Sequence, residues 1–288
     1  MPDNKEMPQL NRILDGLSWV EKAKKGGRLR LPCTLQVLRT VLETKVKNAV
    51  VLDEESGKIG LYSMESWYMA SAVYSFAFGG GFRPSEFTVR ENEAKKYTSN
   101  ALRLKDLSYH VTEEGVKQSL VVLLPKRKTD QLGEKSDVVI GRIGDPLVEP
   151  IDNLEDYLSA RRAGGEVLTG ESLLFPVKGA DGTLHGLTYQ ELTKGMNADL
   201  AKAGFDPSLY QGHSWRIGMA TTLAMNGVPE YIIKDMGGWS RNSSAFNVYI
   251  KRCPQEQRAV FAQFLATPFN GQVVAQSKRS GLHPSQLY

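Results

Sequence analysis

The stretch from Ala70 to Phe78, ASAVYSFAF, is the most apolar in the chain, and Gly79, Gly80 and Gly81 follow it directly. A helix that is apolar all round must be enclosed by other elements. Three glycines then stop it, since glycine readily takes the backbone conformations that end a helix. The chain is therefore expected to fold around a buried helix over Met64–Phe78, capped by Ser63. Arg83 comes just past the stop, and Pro84 is placed to open a short following helix. No apolar run approaches the length needed to span a bilayer, so no membrane partner is expected.

The rest of the pattern is mostly helical. Residues 8–25 carry Leu10, Ile13, Leu14, Leu17 and Val20 at helical spacing, and Gly26-Gly27 ends them. The basic run Lys22 to Arg30 reads as a linker. A second helix follows Pro32, with Thr34 as its N-cap and Leu35, Leu38, Val41 and Leu42 on one face. Ala101–Val111, Ser119–Leu124 and Asp137–Ile143 read as strands. The loop PKRKTDQLGEKS, carrying Lys126, Arg127 and Lys128, joins the second strand to the third. Helices are then expected at about 147–162, 188–203, 213–226, 229–236, 243–252 and 254–266, with breaks at Gly227 and at Gly237-Gly238. From Thr267 onward the chain reads as a loosely held tail.

Composition sets bounds without choosing a function. At 288 residues the chain is long enough for one large domain or two small ones. Its 41% hydrophobic and 24% charged residues are those of an ordinary globular protein. A net charge of +4 permits a nucleic-acid partner without requiring one. Cys33 and Cys253 make no disulfide framework, so an intracellular setting is expected.

Chemistry concentrates in GHSWRIGMATTLAMNGVPEYIIKDMGGWSRNSSAFNVYIK, Gly212 to Lys251. His213 and Arg216 stand three residues apart at a helix start, hence on one face. Trp239 follows in a GGW turn, and Tyr249 lies ten residues further on. With Arg83 this set suits transfer at a phosphodiester. Negative charge grows on the non-bridging oxygens at the transition state, and the forked, permanently charged arginine fits it. Arg83 and Arg216 would grip the oxygens, helped by the positive helix start. Tyr249 would attack; its phenol, with an ordinary pKa of about 10, needs help losing a proton. His213 would take that proton or hold the phosphate. Lys128 is the candidate donor to the leaving 5′ oxygen, and Trp239 offers one indole N–H. No His/Cys/Asp/Glu cluster has metal-ligand spacing and no G-x-x-x-x-G-K loop occurs, so neither metal nor cofactor is expected. Each residue alone also has a plain structural reading, and His110, His185 and His283 are taken as structural or exposed.

The ordered set resembles the tyrosine recombinase (phage integrase-like) family over roughly residues 31–266. FRPSE resembles the motif of the family's first arginine, with Glu86 at its bracing acidic position. GHSWR resembles its H-x-x-R box, GGWS puts Trp239 where the family has His or Trp, and VYIK supplies Tyr249. KRKTD resembles the hairpin loop bearing the family lysine, the following threonine favouring Lys128 over Lys126. RLPCTLQVLRTVL more loosely resembles recombinases of DIRS-like and Crypton-like mobile elements.

The resemblance implies a mainly α fold with a small antiparallel β-sheet (α+β). It also implies cleavage and rejoining of double-stranded DNA through a 3′-phosphotyrosyl intermediate, with no small-molecule substrate. It implies a homo-tetramer on two DNA sites, with a C-terminal segment docked into a neighbour; PQEQRAVFAQFLA either plays that part or folds back on its own domain. On this reading residues 1–30 are the last helix and linker of a core-binding domain, 31–266 the catalytic domain, and 267–288 a flexible tail. Two alternatives remain: a recombinase-derived DNA-binding protein without activity, and a type IB topoisomerase.

Overall fold

The computed structural model describes residues 30–56, 60–92, 101–124 and 136–240. The expected helices at 8–25, 243–252 and 254–266, the tail, Lys128 and Tyr249 lie outside the described residues.

Helix α1, Leu35–Ser56, opens as expected on Thr34, whose Oγ1 accepts from the Val37 N–H at 3.4 Å. Leu38, Val41 and Leu42 of its apolar face are buried, and Leu35 packs at the core margin. Helix α2, Trp67–Gly79, is the enclosed apolar helix: every residue from Met69 to Phe78 is buried. It starts later than expected, with Ser66 rather than Ser63 at the N-cap. Ser63 instead makes the preceding turn, its carbonyl accepting from Ser66 N–H and its Oγ from Glu65 N–H. Pro84 opens the short helix α3, Pro84–Phe87.

Strands β1 (Leu107–Val111), β2 (Lys117–Leu124) and β3 (Ser136–Gly141) form an antiparallel sheet in the order β1-β2-β3. The first strand is shorter than expected because Leu104–Asp106 makes a 3-10 turn, in which Asp106 reaches back to the Arg103 N–H. Pairing sets Leu120 beside Ile140 and Val122 beside Val138. All four are buried, while Val139 between them is exposed, as a sheet with one covered face requires.

Helix α4, Pro150–Ala163, packs on α2. A two-stranded hairpin then follows, β4 (Pro176–Lys178) with β5 (Leu184–Gly186), which the sequence pattern did not announce. Helix α5, Tyr189–Lys202, begins on a reciprocal cap between Thr188 and Glu191 and packs on α1. Helix α6, Ser214–Met225, packs on α2, with Trp215 stacked on Tyr74 at a 4.9 Å ring separation. Helix α7, Glu230–Gly237, packs on α6. Phe76 lies against Phe82, Phe87 and Phe175. Each such burial is worth roughly 1.5–3 kcal/mol. This aromatic cluster fixes the turn between α2 and α3, which carries Arg83.

One group of charges is buried with the core. Lys45 of α1 reaches both oxygens of Asp199 on α5, at 2.8 and 2.9 Å, and Tyr74 Oη of α2 donates to Asp199 at 2.8 Å.

Candidate functional site

Arg83 is the N-cap residue of α3. Its backbone N–H donates to Glu86 Oε2 at 2.7 Å, and its guanidinium donates to Oε1 at 2.8 Å. Glu86 is buried and the Arg83 side chain is 16% exposed. One carboxylate thus holds the arginine at both ends, which limits the rotamers open to a long side chain.

His213 caps α6 and leaves its side chain exposed. The turn before it is closed by Ser214, whose N–H donates to Gln211 O and whose Oγ accepts from Gln211 N–H. This turn lies directly on the Arg83 turn: a Cβ at Gly212 would stand 2.6 Å from Pro84 Cγ. Only glycine lets the two turns approach so closely.

Arg216 follows within the first turn of α6 and is only 3% exposed. Its Nη1 donates to Gly81 O at 2.6 Å, the carbonyl two residues before Arg83. Its guanidinium lies over the Trp239 ring, 3.7 Å from the centroid. That stacking and hydrogen bond together fix the plane of the fork. Trp239 is partly buried, just past the end of α7. Sequence reading gave this residue an indole N–H to offer; the structure adds that its face aligns Arg216.

The electrostatics of His213 register this convergence. Its pKa is lowered, first by partial loss of hydration and then by the charges of Arg30, Arg216 and Arg83; Glu86 opposes them. The neutral imidazole is therefore the resting form at neutral pH. Arg83, Glu86, His213, Arg216 and Trp239 are thus brought together from α3, α6 and the turn after α7. Lys128 and Tyr249 lie outside the described residues, so their place in this group is not described. Arg30 is the addition. Sequence reading placed it at the end of a basic linker, with no pattern linking it to residue 213. Chemically the cleft pairs several arginines with an unprotonated histidine, which suits an anion that must be held while a proton moves.

No family model matches the chain, and no curated protein matches it. Solved structures do. A site-specific recombinase, XerH, in a post-cleavage complex with palindromic difH substrate, superposes with a TM-score of 0.52 at 15% identity over 83% of this chain. This chain has the fold of a tyrosine recombinase catalytic domain. It spans 54% of the length of XerH. The XerA recombinase aligns over 84% of this chain and 66% of its own, at 15% identity and a TM-score of 0.48. The Tn1549 transposon integrase in complex with transposon right end DNA aligns over 85% of this chain and 69% of its own, at 14% identity and a TM-score of 0.46.

Proposed function

We infer that residues 31–266 are the catalytic domain of a site-specific DNA recombinase or integrase. The observation that carries this reading is the grouping of Arg83, His213 and Arg216, with Trp239 stacked on Arg216, in a chain with the recombinase fold. XerH is described bound to its DNA substrate after cleavage, and double-stranded DNA is the substrate proposed here. The setting is intracellular, where such DNA is found.

In this mechanism Arg83 and Arg216 hold the non-bridging oxygens of one phosphodiester. Tyr249 Oη attacks phosphorus, and its proton passes to His213. The bond from phosphorus to the 5′ oxygen breaks, and Lys128 protonates that oxygen. The products are a 3′-phosphotyrosyl linkage and a free 5′ hydroxyl. A partner strand's 5′ hydroxyl then attacks the linkage, releasing Tyr249 and closing a new phosphodiester. The charge is stabilised by guanidinium groups aimed at the oxygens before the reaction begins. Exchange between two duplexes calls for four copies, and a homo-tetramer on two sites is the proposed working form.

A nicked duplex whose short 5′ fragment diffuses away traps the linkage. The expected result is a protease-sensitive adduct that forms in the presence of EDTA and is lost in Tyr249→Phe. Duplex binding without any adduct would make the chain a DNA-binding protein. An adduct that persists in Tyr249→Phe would move the nucleophile elsewhere.

A further inference from the structure

Arg30 stands immediately before a segment tied to the cleft. Leu31 N–H donates to Leu209 O at 2.7 Å, and Cys33 N–H donates to Ser214 O at 2.8 Å. The two acceptors bracket His213. One residue into α1, Leu35 N–H donates to Thr222 Oγ1 at 3.3 Å, so residues 31–35 run along α6. The approach is close. A Cβ at Gly218 would lie 1.8 Å from Cys33 O, a distance that no side chain survives without moving the backbone.

Residues 31 to 34 are all buried by this docking, whereas Arg30 is exposed. An arginine on a loose linker would have no fixed relation to residue 213; this one is held one peptide away from an anchored hydrogen bond. Arg30 makes no ion pair or side-chain hydrogen bond among the described residues.

We propose that Arg30 is a third phosphate-binding arginine of this cleft, gripping a backbone phosphate adjacent to the one held by Arg83 and Arg216. The inference rests on the DNA-cleavage reading and adds a contact to it. One carboxylate, Glu86, stands against three arginines here, and a single phosphate cannot satisfy three forked guanidinium groups. Successive phosphates along a strand can. Arg30 then reads the run of the backbone rather than the bases, and sets where the strand enters the cleft. The lowered pKa of His213, to which Arg30 contributes, supports the same proximity.

Salt-dependent binding of the full chain to a 30-base-pair duplex tests this. Each phosphate contact contributes close to one unit to the slope of log affinity against log salt. Arg30→Gln should reduce the slope by about one unit, and Arg30→Lys should retain it. In the free protein, the NMR titration of the His213 imidazole should shift upward in Arg30→Gln and stay near the wild-type value in Arg30→Lys. A wild-type chain that binds duplex, with an unchanged slope in Arg30→Gln, overturns this proposal and leaves the DNA reading standing. A His213 titration that ignores Arg30→Gln overturns it too. A wild-type chain that binds no duplex removes the DNA reading itself, and the third contact with it.

Discussion

In the interior, Lys45 Nζ meets both oxygens of Asp199 and Tyr74 Oη donates to the same carboxylate, all at or below 2.9 Å. In the cleft, Arg30, Arg83 and Arg216 act together on His213, and Glu86 is the charge opposing them. Both regions gather charged side chains from parts of the chain far apart in sequence. The first answers its cation with a carboxylate, and that carboxylate takes a second donor from a phenol. The second sets three arginines against one carboxylate around a histidine left open to solvent. A folded chain tolerates such crowding where an incoming anion relieves it, and it costs stability otherwise. The contrast separates charge that fixes a fold from charge held for a partner, and each side can be tested by removing one residue.

The largest expected effect is on the interior side. Lys45→Met leaves Asp199 buried with Tyr74 as its remaining donor in that trio. Breaking one partner out of a buried pair costs about 3–5 kcal/mol. For a chain of this size the melting temperature should fall by about 6–20 °C. The salt slope of duplex binding should not move, because Lys45 joins α1 to Asp199 of α5 and takes no part in the group around His213. Lys45→Met combined with Asp199→Leu should recover much of the loss, since the orphaned charge is gone. Thermal melts of both variants give the answer. A single variant as stable as wild type would show that the buried pair is idle, and the contrast would fail.

The sequence showed one side of this contrast better than the other. Arg83, His213 and Arg216 could be grouped because each sits in a short local pattern: a proline after a glycine stop, and an i, i+3 pair at a helix start. Gly227 and Gly237-Gly238 likewise fell at the ends of α6 and α7, where local backbone chemistry decides. Lys45 falls three and four residues after Leu42 and Val41 on the apolar face of α1, but its partner lies 154 positions away. No periodicity carries that pairing. Arg30 was hidden for the same reason: its place depends on backbone hydrogen bonds to residues 209 and 214. The β4–β5 hairpin has three residues per strand, too few for alternation to register. Ser63 has the chemistry of an N-cap, but it spends its hydroxyl and carbonyl on the preceding turn, and the helix starts three residues later.

On the cleft side, Arg216→Lys keeps the charge and removes the planar fork that lies on Trp239 and donates to Gly81 O. Loss of one fixed donor at a developing oxyanion typically costs about 10²–10³ in rate. Adduct formation on the nicked duplex should fall by that factor, with a smaller loss of melting temperature than in Lys45→Met. Measuring both on one preparation sharpens the comparison. If Arg216→Lys melts as early as Lys45→Met while still forming adduct at a near-normal rate, Arg216 belongs with the charges that fix the fold.

The smallest effect is a dependence of stability on pH, confined to the cleft. Partial loss of hydration and the arginines lower the His213 pKa in the folded state, while the unfolded chain keeps a value of about 6.5. Above that value both states are neutral and the histidine's contribution is fully present. As pH falls through it the unfolded chain takes up the proton first, so stability drops until the folded-state pKa is passed. A half-buried carboxylate away from this group acts in a different window. Glu166, whose pKa is lowered first by its hydrogen bond from Arg161, contributes stability that is lost only below the ordinary carboxylate range. Urea unfolding at pH 7.5 and again at pH 5.5, in wild type and in His213→Gln, separates this histidine from the other three. Wild type should lose stability between the two, and His213→Gln should lose less. Bound duplex should shrink the loss in wild type, because phosphates offset the arginines and raise the His213 pKa toward its ordinary value. An equal loss in wild type and His213→Gln, with or without duplex, would mean that the three arginines do not press on this histidine. The crowding that sets the cleft apart from the interior would then be absent.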